Sequence, residues 1–295
     1  MEPQHLILSG SGQGPRLLIM GGVHGDEFEP MVAVRRLRQR LQIEVWRGEV
    51  VLIPVANEPA FRAGTRCGPD GLDLARSFPG KCDGTTTERL AHVLAGFIRD
   101  ADFFIDLHSG GTTFSVQPMA GYMMHSNEQL RKIQHRMARA MNLAGVWGTD
   151  SRLPGRSLSV ARDARVPAIY AEYRGSATCD PEGVKAYMQG CLGVMIELGM
   201  REGALTTDGV QWEVTDARPG SGHMQIQNLA PTEGYFEAAV ALGQSVCRGD
   251  LLGTISDPLG EEIVEVRVQQ TGRVLVLRTF PRVSKGESLG VIVEM

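Results

Sequence analysis

"RLLIMGGVHGDEFEP", residues 16–30, holds the reading on which the fold turns. An apolar run ends in two glycines. A histidine and a glutamate follow three positions apart, His24 and Glu27, and "EPMVAVRRLRQRL" then takes up helical spacing with arginines on its exposed side. A short apolar run bounded by glycine reads as a buried strand, so the stretch is strand, tight bend, helix. Two readings fit His24 and Glu27 in that bend. One is a turn with a polar rim. The other is that both side chains hold the same metal ion.

Outward from this unit the pattern repeats. "EVVLIPVAN", "DFFIDLHS" and "VPAIYAEYRG" read as strands. "TTTERLAHVLAGFIRDA", opened by threonines that can cap it, "NEQLRKIQHRMARAMNL" and "PEGVKAYMQGCLGVMIELGM" read as helices. Strand–helix alternation predicts an α/β sheet with helices on both faces. After about residue 200 the helical period stops, and short strands alternate with glycine turns. This predicts a boundary near residue 205, with an α/β domain over residues 1–205 and a small all-β domain over residues 206–295. "GQSVCRGDLLGTI" and "FPRVSKGESLGVI" look like two copies of one hairpin pattern, which suggests a pseudo-symmetric barrel or sandwich.

Composition narrows the function. The 295 residues carry a net charge of −4, and no run of Lys or Arg forms an obvious nucleic-acid face, so a nucleic-acid partner is not expected. No apolar stretch approaches the roughly 20 residues that span a bilayer, and the first residues lack a basic segment followed by an apolar one. The expectation is a cytoplasmic chain with no membrane partner. Five cysteines, an odd number without C-x-x-C spacing, speak against a disulfide framework or a four-cysteine zinc site and read as free buried thiols.

Three polar stretches sit just past predicted strand ends: His24 with Glu27, Asp106-Leu107-His108, and Glu172. In an open α/β sheet the crevice beyond strand ends is where ligands bind. A water-activating zinc site needs three protein ligands and one open position, and two histidines with one glutamate are a known set. A lone His-x-x-Glu is weak support, and the chain has no His-Glu-x-x-His. The shared context counts for more: Gly21-Gly22 precede His24 and Gly110-Gly111 follow His108, and glycines let backbone pass close to a ligand. His92 and His135 fall within helical patterns, and His125 follows an apolar strand; none is assigned a role. Ser109 has no histidine–acid pair to activate it, so a serine hydrolase is unsupported.

"GGVHGDE", "NEPAFRAGTRCGPDGLDLARSFPG", "DLHSGG" and "AEYRG" occur in this order between about residue 15 and residue 200. In order and spacing they resemble the succinylglutamate desuccinylase and aspartoacylase family. The "N-x-P-A…G-T-R…F-P-G" form looks closest to bacterial deacylases of small N-acylated amino acids, the N-acetyl-diaminobutyrate deacetylase type among them. The resemblance implies a zinc-carboxypeptidase-like mixed α/β sheet flanked by helices, followed by a small all-β domain. It implies that His24, Glu27 and His108 ligate one zinc ion per chain. It also implies that Glu172 is the general base toward zinc-bound water and that Arg66 stabilises the oxyanion. Asp73 would orient His24 through its other ring nitrogen, and Arg76 would bind a substrate carboxylate. One departure stands out: the family's Asp-Leu-Asn-Arg is here Asp73-Leu74-Ala75-Arg76. The missing asparagine removes a donor for that carboxylate. Arg174 could compensate, or could be a solvated arginine at a strand end.

The expected activity is zinc-dependent hydrolysis of the amide bond of a small N-acylated amino acid or related amine. The alternatives are a metallocarboxypeptidase on the same fold and a non-catalytic homologue that binds a small molecule. The β region would narrow the cleft mouth or form a subunit contact, which leaves a homo-oligomer open.

Overall fold

Every strand of the N-terminal part feeds one sheet. In a computed structural model that describes residues 2–224 and 227–295, the chain runs through β1 (Leu6–Ser9), β2 (Arg16–Gly21), α1 (Phe28–Leu41), β3 (Glu49–Ile53) and α2 (Glu58–Ala63). A 3₁₀ turn (Leu74–Arg76), α3 (Thr86–Arg99), β4 (Phe103–His108), β5 (Phe114–Met123) and α4 (Glu128–Ala140) follow. Next come β6 (Gly145–Thr149), α5 (Ser157–Ala164), β7 (Ala168–Gly175) and α6 (Pro181–Glu197). The rest is strand: β8 (Trp212–Thr215), β9 (Gly234–Ala238), β10 (Ser245–Val246), β11 (Leu251–Ser256), β12 (Ile263–Arg267), β13 (Gly272–Arg278), β14 (Arg282–Val283) and β15 (Gly290–Val293). The centre of the sheet is parallel, in the order β3, β2, β4, β7, with β1 and β5 antiparallel on its flanks.

Side chains alternate across a strand, and here that alternation builds two cores. Leu17 and Ile19 join Leu37 of α1, Met137 of α4 and Val194 of α6 on one face. Leu18 and Met20 join Leu94 and Ile98 of α3 and Ala161 of α5 on the other. The α3 pattern was legible because its face is amphipathic and Thr85 and Glu88 form a reciprocal capping box at its start. Neither β6 nor α5 was anticipated; "GVWGT" is short and glycine-rich, and α5 spans only two turns.

The sheet forks at β5. On one side this strand pairs with β7 before and after a register slip. On the other, Phe114–Val116 pair with β13 while Met119–Met123 pair with β6, and the register against β7 slips between Val116 and Met119. Pro118 lies in that slip, where its missing N–H is tolerated. β8, although beyond residue 205, continues the sheet from β6. β13, with β15 and β10, continues it on the other branch. These three pack against a second sheet, β12-β11-β9-β14, around Phe236, Leu252, Val274 and Ile292. The two hairpin copies are exchanged: β10 pairs with β13, and β14 pairs with β9.

Glycines in the bend after β2 admit protein rather than ligand. A Cβ on Gly25 would lie 2.1 Å from the carbonyl carbon of Ala60, so α2 sits directly on the His24 loop. Gly110 is as tight, 2.1 Å from the Phe114 oxygen. The thiols are more exposed than expected: Cys191 is buried, but Cys82, Cys179 and Cys247 are on the surface. No helix of the described residues is long and apolar enough to cross a membrane.

Asn57 ties α2 to the His24 loop. Its buried side chain accepts from the Ala60 N–H (3.2 Å) and donates to the Val23 carbonyl (3.3 Å). Replacing it with alanine removes an N-cap and strands a buried carbonyl, a loss of about 2 kcal/mol. Urea unfolding of Asn57→Ala should show a lower midpoint at an unchanged slope.

Candidate active site

Parallel register brings the three polar stretches together. Gly21 at the end of β2 lies opposite Leu107, and His108 at the end of β4 lies opposite Glu172 on β7. The bend after β2 carries His24 to the same edge. His24, Glu27 and His108 each offer a ligand atom, and these atoms lie within 4.8 Å of one another.

Glu27 is the hub. It occupies the N-cap position of α1 but makes no cap bond with its side chain. Its carboxylate turns instead to the histidines: Oε1 is 2.6 Å from Nδ1 of His24, and Oε2 is 3.0 Å from Nδ1 of His108. Oε2 also accepts from the Ser109 N–H. Only 1% of Glu27 is exposed. Burial pushes its pKa up, but the two histidines outweigh burial and hold it well below the ordinary carboxylate range. The positive end of α1 favours the same anion.

Both histidines are held alike. Nε2 of His24 donates to Oδ1 of Asp73 (3.1 Å), and Nε2 of His108 faces Oδ2 of Asp106 (3.2 Å). Burial alone would lower the His108 pKa; Asp106 and Glu27 overcome it and raise it well above the usual value. Asp73 also accepts from the Ala75 N–H (2.8 Å), and Asp106 accepts from the Ser157 hydroxyl. Each imidazole thus turns Nδ1 toward Glu27 and gives Nε2 to a second carboxylate. That is the arrangement in which carboxylates fix metal-binding histidines, and the donor set suits zinc. Asp106 was not assigned a role from sequence, although it is two residues from His108; only the ring orientation reveals it.

Arg66 lies 3.2 Å from Oδ2 of Asp73 and 3.6 Å from Oε1 of Glu27. Burial works against its charge, yet these carboxylates raise its pKa. Glu172 is 6% exposed, and burial pushes its carboxyl up to about 8. Arg76 and Ala75 line the same crevice. Arg174 does not. It takes a left-handed φ of 41°, and its exposed side chain reaches Asp180 (3.5 Å), the geometry of an arginine at a strand end. A different cation does line the crevice: Arg156, just before α5, makes no ion pair among the described residues, and has its pKa lowered to about 10 by burial and by Arg76. A loop arginine without a motif gave no sequence signal. Phe114, Val116, Met224 and Val276 complete the crevice on the side of the fork.

Sheet, crevice and buried His–Glu–His cluster together have the make-up of an α/β amidohydrolase. The chain belongs to the succinylglutamate desuccinylase/aspartoacylase family, whose catalytic-domain description matches residues 13–198. It is 33% identical to N-alpha-acetyl-L-2,4-diaminobutyric acid deacetylase of Halomonas elongata, over 96% of this chain and 83% of that protein. Two solved structures are similar over 98% of this chain. One is a succinylglutamate desuccinylase/aspartoacylase from Rhodobacter sphaeroides, with a TM-score of 0.88, 27% identity and 88% of that chain covered. The other is the product-bound ectoine utilization protein EutE (DoeB) from Ruegeria pomeroyi, with a TM-score of 0.87, 26% identity and 87% covered.

The Glu172 shift has a consequence for the metal-free protein. Below pH 4.5, its ordinary pKa, the carboxyl is protonated whether folded or unfolded. Above about 8 it is ionised in both. Between the two the fold holds the neutral form while the unfolded chain ionises, so stability falls as pH rises. Metal-free Glu172→Gln escapes this loss. Its melting temperature should exceed that of the wild type by a margin that grows to several degrees from about pH 5 to about pH 8. A margin that does not change with pH would place the Glu172 carboxyl in water.

Proposed function

We propose that this chain is a zinc-dependent deacylase that hydrolyses the amide bond of a small N-acyl amino acid or related amine. The supporting observation is the His24–Glu27–His108 cluster with Glu172 beside it at the same strand edge. The family and the similarity to a deacetylase support the reaction type. In this reading residues 1–205 carry the chemistry, and residues 206–295 close the crevice through Met224 and Val276.

His24, Glu27 and His108 would hold one zinc ion. When bound, zinc would polarise the scissile carbonyl and acidify a water molecule. Glu172 accepts a proton from the attacking water and returns it to the leaving nitrogen; a carboxyl raised by burial suits both tasks near neutral pH. Arg66, held charged by Asp73 and Glu27, stabilises the negative charge that develops on the carbonyl oxygen. Asp73 and Asp106 hold the two imidazoles in the tautomer that leaves Nδ1 for the metal. Arg76 and Arg156 bind the substrate carboxylate. Arg156 supplies the charge that Arg174 does not, and offsets the donor lost at Ala75.

Glu172→Gln should bind zinc as the wild type does, yet lose about 10²–10⁴ in kcat. Metal analysis beside a hydrolysis screen over N-acetyl, N-succinyl and N-formyl amino acids checks both halves. Near wild-type turnover would remove Glu172 from the reaction. Asp106→Asn should weaken zinc binding about 10–100-fold in a competition titration, because the amide cannot hold His108 as the carboxylate does.

A further inference from the structure

We infer that the crevice selects N-acyl amino acids whose side chains are apolar and uncharged, and that this side chain lies against a wall made by Phe114, Val116, Met224 and Val276. The inference rests on the deacylase reading. All four residues line the crevice and belong to one apolar cluster. Val116 and Val276 are register partners across β5 and β13. β5 is the strand next to β7, which carries Glu172, and β13 is the next one out. Strands lie about 4.8 Å apart, so the wall begins one strand from the base and extends to a second. A leucine or methionine side chain on a substrate whose amide sits at Glu172 spans that distance.

Charge points the same way. The carboxylates that line the crevice, Glu27, Asp106 and Glu172, all stand at the reacting end. No acidic side chain of the described residues lines the apolar wall. Along these four residues an ammonium on the substrate side chain would therefore lose its water without gaining a carboxylate; the groups left to it in the crevice lining are neutral hydroxyls, those of Tyr170 and Thr149 among them. The cations Arg76 and Arg156 line the crevice together with Ala75 and Leu158, which belong to the other core. One carboxylate held there leaves the substrate's side chain facing the fork.

The test is a panel of four N-acetyl amino acids, the derivatives of leucine, methionine, 2,4-diaminobutyrate and aspartate, with the zinc-loaded enzyme. Leucine and methionine derivatives should exceed the other two in kcat/KM by roughly tenfold or more. Met224→Glu, on a half-buried loop position, should shift the diaminobutyrate-to-leucine ratio toward diaminobutyrate by a similar factor. Val276→Thr, close to isosteric, should lower the leucine and methionine derivatives while sparing the aspartate derivative. A wild type that prefers diaminobutyrate or aspartate, or ratios that neither substitution moves, would overturn the inference and leave the deacylase reading standing. A wild type inert toward all four would overturn both.

Discussion

Glu27 is a carboxylate shut away from water, and the rest of the crevice is arranged around that fact. An ionised group with 1% exposure survives only if partners replace its hydration. Two imidazoles, a backbone N–H and a helix N-terminus do so here. Each imidazole in turn requires an acceptor on its far side, which Asp73 and Asp106 provide. Asp106 requires the Ser157 hydroxyl, and Asp73 draws in Arg66 and the Ala75 N–H. The polar network is thus a chain of obligations. It starts from one buried charge and reaches α5 on one side and the 3₁₀ turn on the other.

This bears on position 75. What position 75 gives the network is its backbone N–H, which any residue but proline supplies. The side chain is free to change without disturbing His24. In the proposed reading the cost of losing the family's asparagine would fall on the substrate, beside which Arg156 lines the same crevice. Specificity can therefore drift at this rim while the cluster beneath stays intact.

Much of this was legible in the sequence. Glycine-bounded apolar runs and 3.6-residue periods gave most strands and helices of the N-terminal part, because each such element buries a continuous stripe. His24, Glu27, His108 and Glu172 were legible as polar residues at predicted strand ends; the structure puts His108 on the last residue of β4 and Glu172 within β7, and parallel pairing then brings them together. What stayed hidden depends on partners far apart in the chain. The role of Asp106 follows from a ring orientation. Arg156 enters through a loop with no pattern. The solvent-facing turn of Arg174 comes from one left-handed residue. The fork at Pro118 requires knowing that Val116 meets Val276, and no local period encodes that. The same gap concealed β8 joining the first sheet after the predicted boundary.

That pairing of Val116 with Val276 also sets an order of events during synthesis. A chain released only as far as α6 has its two histidines, its glutamates and both cores of the first sheet, yet one bank of its crevice is absent. β5 must wait with an open edge until β13 emerges, and contacts so distant in sequence form slowly. A chain of that length would hold its polar residues beside an unguarded stretch of strand, open to pairing with another extended chain. Completion of the last strands serves the cell twice: it shapes the pocket and retires a sticky edge.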